Sequence, residues 1–114
     1  LIVLGGHYLK ESETIVGFQA IKMAENFQAD LYFMGVCALD MQKGVTAIYM
    51  QEAELKQTML EHSNMSVALS TFDKLETLEP YRVCPMESLD YVITEMDAQN
   101  ERFEPYKKAG IKVL

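Results

Sequence analysis

Basic side chains are scarce in this sequence. Ten Lys and Arg stand against 17 Asp and Glu, for a net charge of −7. A surface that displaces counterions from nucleic-acid phosphates needs the opposite balance, and so does docking on an anionic membrane. No apolar run approaches the roughly 18 residues of a membrane-crossing helix, and no signal-peptide pattern opens the chain. Cysteine is limited to Cys37 and Cys84. Their spacing fits neither a zinc site nor a CxxC redox pair, so two reduced, mostly buried thiols in a cytoplasmic protein are expected. The Rossmann, P-loop, zinc-protease and nucleophile-elbow signatures are all missing. Dinucleotide binding, P-loop hydrolysis, zinc proteolysis and serine hydrolysis therefore have no positive support, and no cofactor is expected.

What is present suits one domain: 114 residues, 49% of them hydrophobic. Leu1-Ile2-Val3-Leu4, ended by Gly5-Gly6, reads as a strand buried on both faces of a parallel sheet. Its abrupt apolar start, with no polar lead-in, raises the expectation of a piece cut from a longer polypeptide. Thr14-Ile15-Val16 is a short β-branched run. A helical pattern follows over residues 18–27, with Phe18, Ile21, Ala24 and Phe27 on one face. Leu31-Tyr32-Phe33-Met34-Gly35-Val36 reads as a second buried strand. A polar link containing Gly44 leads to a second helix over residues 50–62, rich in helix formers and free of Gly and Pro.

Ser66-Val67-Ala68-Leu69-Ser70 reads as a third strand, residues 71–80 as a loop or short helix, and Tyr81-Arg82-Val83-Cys84 as a short strand stopped by Pro85. Tyr91-Val92-Ile93-Thr94 is a further apolar run. A last helical pattern spans residues 98–109, with Lys107 and Lys108 in its final turn and Gly110 beyond it. Residues 111–114 would form the closing strand. Tyr32, Phe33, Tyr49, Tyr91 and Phe103 are expected to pack, and the eight Met to fill core gaps. Alternation of strand and helix predicts an α/β domain with a doubly wound, mostly parallel, Rossmann-like sheet, helices on both faces and right-handed crossovers.

Ligands of such sheets bind beyond the carboxyl ends of the strands. Gly5-Gly6-His7 could bring backbone N–H groups close to an anion, although two glycines also make a plain turn. The small residues of Gly35-Val36-Cys37-Ala38 fit a ligand-facing turn or a tightly covered strand equally well. Glu52 and Lys56 are four residues apart on one helix face. The bland reading is a surface ion pair worth ~0.2–0.5 kcal/mol. The functional reading puts them at a pocket rim, with Lys56 meeting a phosphate or carboxylate and Glu52 accepting sugar hydroxyls.

The order of these segments resembles the C-terminal sensor domain of the DeoR family of bacterial repressors. The resemblance rests on Leu4-Gly5-Gly6 with Val16-Gly17, and on Ala29-Asp30 with Phe33-Met34-Gly35. It continues in Gly44-Val45-Thr46, in the distinctive Glu52-Ala53-Glu54-Leu55-Lys56, and in Val83-Cys84-Pro85-Met86 with Leu89-Asp90-Tyr91-Val92-Ile93-Thr94. It implies a fold similar to ribose-5-phosphate isomerase and glucosamine-6-phosphate deaminase and an effector that is a phosphorylated sugar or related metabolite. It also implies homo-oligomers, with DNA contact only through an N-terminal helix-turn-helix domain absent from these residues. The family has a Ser/Thr-rich phosphate-cradling loop ahead of the Gly-Gly strand, so part of the effector site and of the sheet is expected outside this chain. Carried over by position, the pocket residues are Gly35, Cys37, Ala38, Glu52, Lys56 and Lys74, to which the Gly5-Gly6 turn is added. Thr71-Phe72-Asp73 departs from the family's Asp-Ser-Ser-like run before that lysine, and Ala38 stands where glycine is common. A sugar-phosphate isomerase or deaminase is the alternative, with Glu52 as general base, and a bare assembly module is the third reading.

Overall fold

The computed structural model describes residues 1–114. The elements in chain order are β1 (His7–Leu9), β2 (Thr14–Val16), α1 (Phe18–Ala24), β3 (Ala29–Gly35), β4 (Ala38–Asp40), β5 (Gly44–Ala47), α2 (Met50–Glu61), β6 (Ser63–Leu69), β7 (Tyr81–Cys84), β8 (Tyr91–Ile93), α3 (Glu104–Lys108) and β9 (Lys112–Val113). The main sheet is parallel throughout, in the order β3-β6-β8-β9. The α/β class and the mostly parallel sheet are thus as the sequence pattern predicts. No helix is long and apolar enough to cross a membrane.

Two features were not expected. A small antiparallel sheet, β4-β5-β7, is inserted between the parallel strands. β7 is the short strand expected at Tyr81–Cys84, whereas β4 and β5, of three and four residues, are too short to show a period of two and read as a turn and a link. Gly44 makes the insertion possible: its φ is +84°, and a Cβ there would run into the Cys84 carbonyl of β7. The second feature is the state of residues 1–4, which lie outside any strand, with Leu1, Ile2 and Val3 exposed. A strand exists only through a ladder with a neighbour, and none of the other strands pairs with this apolar run.

One face of the main sheet carries the core. Tyr32, Met34, Ala68 and Val92 point to it and pack with Leu39, Val45 and Ala53, and with Phe103 and Tyr106 of the α3 region. Burying a side chain such as Met34 contributes roughly 1.5–3 kcal/mol. Alternate residues face the other way. Register pairs Leu31 with Met65 and Gly35 with Leu69, and Leu31, Phe33, Met65 and Leu69 are all exposed. The apolar run of β3 is therefore buried on one face, not two, and Phe33, expected to pack, is 56% exposed. The stripe of α1 also differs from its sequence reading. Ala20 and Ala24 are the buried pair, packed with Leu55 of α2. Phe18 and Phe27 are exposed, and Lys22 Nζ sits 5.5 Å from the Phe18 ring centre.

Candidate functional site

The carboxyl end of β3 and the first turns of α2 meet at a buried polar cluster. Residues 50–61 form a helix because they combine good helix formers with Glu52 in the first turn, where the amide dipoles favour an acid. The i, i+4 spacing then puts Glu52 and Lys56 on the face turned to the sheet, where both are buried. Lys56 Nζ donates to the Gly35 carbonyl at 2.7 Å and lies 2.9 Å from Glu52 Oε1. The Cys37 thiol donates to the same Glu52 oxygen at 3.4 Å, and its sulfur is 3.9 Å from Lys56 Nζ. Glu52 Oε2 is buried without a hydrogen-bond partner.

Burial, with the Glu52 carboxylate alongside, raises the Cys37 thiol pKa, while Lys56 pulls against the shift. Cys37 is therefore a protonated donor at neutral pH, without the lowered pKa that marks a reactive cysteine. Burial also raises the Tyr32 hydroxyl, assisted by the charges of Cys84 and Glu52.

An open cleft of about 770 Å³ passes this cluster. Gly35, Val36, Glu52, Leu55 and Lys56 line its inner wall, Thr71 and Lys74 its lip, and Leu4, Tyr32 and Phe33 its apolar side. The lip is held in place by a single helical turn, Phe72–Lys74. Phe72 N donates to both oxygens of Glu95, at 3.0 and 3.1 Å, which ties the loop after β6 to the loop after β8.

Of the residues singled out in the sequence, Gly35, Glu52, Lys56 and Lys74 line this cleft, and Cys37 is bonded to Glu52 beside it. Ala38 lies fully buried in β4, opposite Thr46. Gly6 serves the corner between β2 and α1: a Cβ there would stand 2.8 Å from the Val16 carbonyl oxygen. Gly5 has open space around it, and neither glycine lines the cleft. Thr71 and Tyr32 were missed. Thr71 could have been found as the hydroxyl residue directly after the third strand, whereas nothing in the sequence ties Tyr32 to a cleft. No group of three or more His, Cys, Asp or Glu side chains is placed to hold a metal ion.

Residues 1–96 match the family model described as the DeoR C terminal sensor domain. The chain is similar to a putative aga operon transcriptional repressor of Escherichia coli O157:H7, with 26% identity over all of this chain and 42% of the relative. It is also similar to the HTH-type transcriptional regulator GolR of Listeria innocua serovar 6a, at 28% over 99% of this chain and 44% of the relative. Similarity to the HTH-type transcriptional repressor GlcR of Bacillus subtilis (strain 168) is 23% over all of this chain and 44% of the relative. The chain spans less than half the length of these relatives.

Proposed function

The chain belongs to the family of DeoR C-terminal sensor domains, and from that premise we propose that it is the ligand-sensing part of a transcriptional repressor of sugar metabolism. Its cleft at the carboxyl ends of β3 and β6 takes a phosphorylated sugar or related metabolite. The observation that carries this reading is Glu52, a residue of the cleft wall whose carboxylate oxygen Oε2 is buried and has no donor. Leaving such an oxygen unpaired costs roughly 1–3 kcal/mol or more, and a ligand hydroxyl would satisfy it. Lys74 at the lip supplies a cation for the anionic group.

DNA is contacted through an N-terminal helix-turn-helix domain outside these residues. Binding in the cleft favours one conformation of the whole homo-oligomeric repressor and so changes its DNA affinity through a coupling free energy. Regulation is better supported than sugar-phosphate isomerisation or deamination. The relatives are named as transcriptional regulators and repressors, and Glu52 Oε1 is held between Lys56 and Cys37.

The test is thermal unfolding of the full-length protein with a panel of pentose 5-phosphates and hexose 6-phosphates. A ligand at 100 times its Kd adds about 2.7 kcal/mol of stability, so a binder raises Tm by several degrees and Glu52→Gln makes that rise smaller. A flat response to the whole panel at millimolar concentration overturns the reading.

A further inference from the structure

We infer that Lys56 is a positioning residue: it holds Glu52 so that its free oxygen reads a hydroxyl of the guest, and it does not bind the guest's anionic group itself. The inference rests on the reading of the cleft as an effector site, but its evidence is a count of donors and acceptors.

An ammonium group has three protons. Around Lys56 Nζ stand three protein acceptors, the Gly35 carbonyl at 2.7 Å, Glu52 Oε1 at 2.9 Å and the Cys37 sulfur at 3.9 Å. Its side chain is 11% exposed. Two of its protons are committed to strong acceptors, the third faces only the weak sulfur acceptor, and its charge is matched by the Glu52 carboxylate. The bond to Gly35 O ties α2 to the carboxyl end of β3, so it fixes where the helix stands over the cleft.

Glu52 is the reverse case. Oε1 accepts from Lys56 and Cys37, while Oε2 is buried and has no donor. An ionised carboxylate only accepts. It repels a phosphate and pairs with a hydroxyl or an amine. The guest therefore lies with a hydroxyl-bearing carbon against Glu52 and its anionic end away from the Glu52–Lys56 pair. Cys37, held as a thiol, completes the grip on Oε1 and keeps the carboxylate from turning.

Two measurements on the full-length protein test this. The first needs no knowledge of the effector: thermal unfolding with inorganic phosphate. Lys56→Met, and the double variant Glu52→Gln with Lys56→Met that leaves no unpaired charge, should respond to phosphate as the parent protein does. A phosphate-induced rise in Tm present in the parent and lost in both variants overturns the inference, whatever the effector proves to be. The second compares, by calorimetry, a sugar phosphate that stabilises the parent with the same sugar lacking its phosphate. Lys56→Met should weaken both by the same factor, tenfold or more, with Lys56→Arg recovering part of the loss. Glu52→Gln should bind the effector and its deoxy analogue, lacking the hydroxyl that is read, equally well. A Lys56→Met loss confined to the phosphate ester would assign Lys56 to the anion instead. A parent protein that binds no sugar phosphate counts against the effector reading alone, and the inorganic-phosphate comparison still decides the role of Lys56.

Discussion

Lys56 Nζ and Glu52 Oε1 are 2.9 Å apart in a setting where the two side chains are 11% and 5% exposed. The same i, i+4 spacing on a wet helix would be worth a few tenths of a kcal/mol. Buried, it is a different object, because each charge has given up its water and depends on the other. Lys56→Met alone is expected to cost roughly 3–5 kcal/mol, since it strands the Glu52 carboxylate. Glu52→Leu with Lys56→Met removes both charges and should recover most of that loss. Urea denaturation of the three proteins decides it. Equal losses in the single and double variants would mean that packing of the Lys56 stem matters more than its charge.

Gly44 is expected to be intolerant of any side chain. Its φ of +84° already disfavours an L residue by about 1–2 kcal/mol, and the Cβ would meet the Cys84 carbonyl. Gly44→Ala should therefore destabilise by more than about 2 kcal/mol. Gly110 has φ of +86° but no neighbour within contact, so Gly110→Ala should lose only about 1 kcal/mol. Matching losses at the two positions would show that conformation alone sets both.

Adjacent residues of β3 should behave in opposite ways. Met34 is fully buried and Phe33 is 56% exposed. Met34→Ala is expected to cost roughly 2–5 kcal/mol, and Phe33→Ser within about 0.5 kcal/mol of nothing. Phe33→Ser should also reduce binding of a hydrophobic dye, since it breaks the apolar strip of Leu31, Phe33, Met65 and Leu69. A large stability loss for Phe33→Ser would indicate that this face of the sheet is covered in solution.

Alkaline pH should weaken the fold through Cys84, whose thiol is pushed up to about 11 by burial. The folded chain then holds a proton that the unfolded chain releases near 9. Stability from this group is complete below pH 9 and drains away as pH rises toward 11, by up to about 1.4 kcal/mol per pH unit. Stability measured from pH 8 to 11 should fall less steeply in Cys84→Val. An unchanged slope would assign the alkaline loss to other groups, such as Tyr32.

Much of the fold was legible because periodicity survives in a linear string. The runs at Leu31-Tyr32-Phe33-Met34, Val67-Ala68-Leu69 and Tyr91-Val92-Ile93 are long or β-branched enough to announce strands, and residues 50–61 contain no breaker. β4 and β5 are too short for a period to appear. β4 is placed by its neighbour β5, and β5 by an antiparallel partner more than 30 residues along the chain, as in the pairing of Thr46 with Arg82. The site was half legible. Gly35, Glu52 and Lys56 could be named from strand position and spacing and Lys74 from the family resemblance alone, but spacing is identical for a solvated pair and a buried one.

By itself, then, the amino-acid order determined a helix carrying Glu52 and Lys56 on one side, because i, i+4 geometry follows from 3.6 residues per turn. It also determined the parallel sheet, through runs of apolar residues separated by helical segments. Only the tertiary structure decided that this side of α2 turns inward against the Gly35 carbonyl, that Glu52 keeps one oxygen unpaired, and that the Leu31–Phe33 face stays open. Burial is a relation between segments distant in sequence, and no local pattern encodes which of two apolar faces acquires a neighbour.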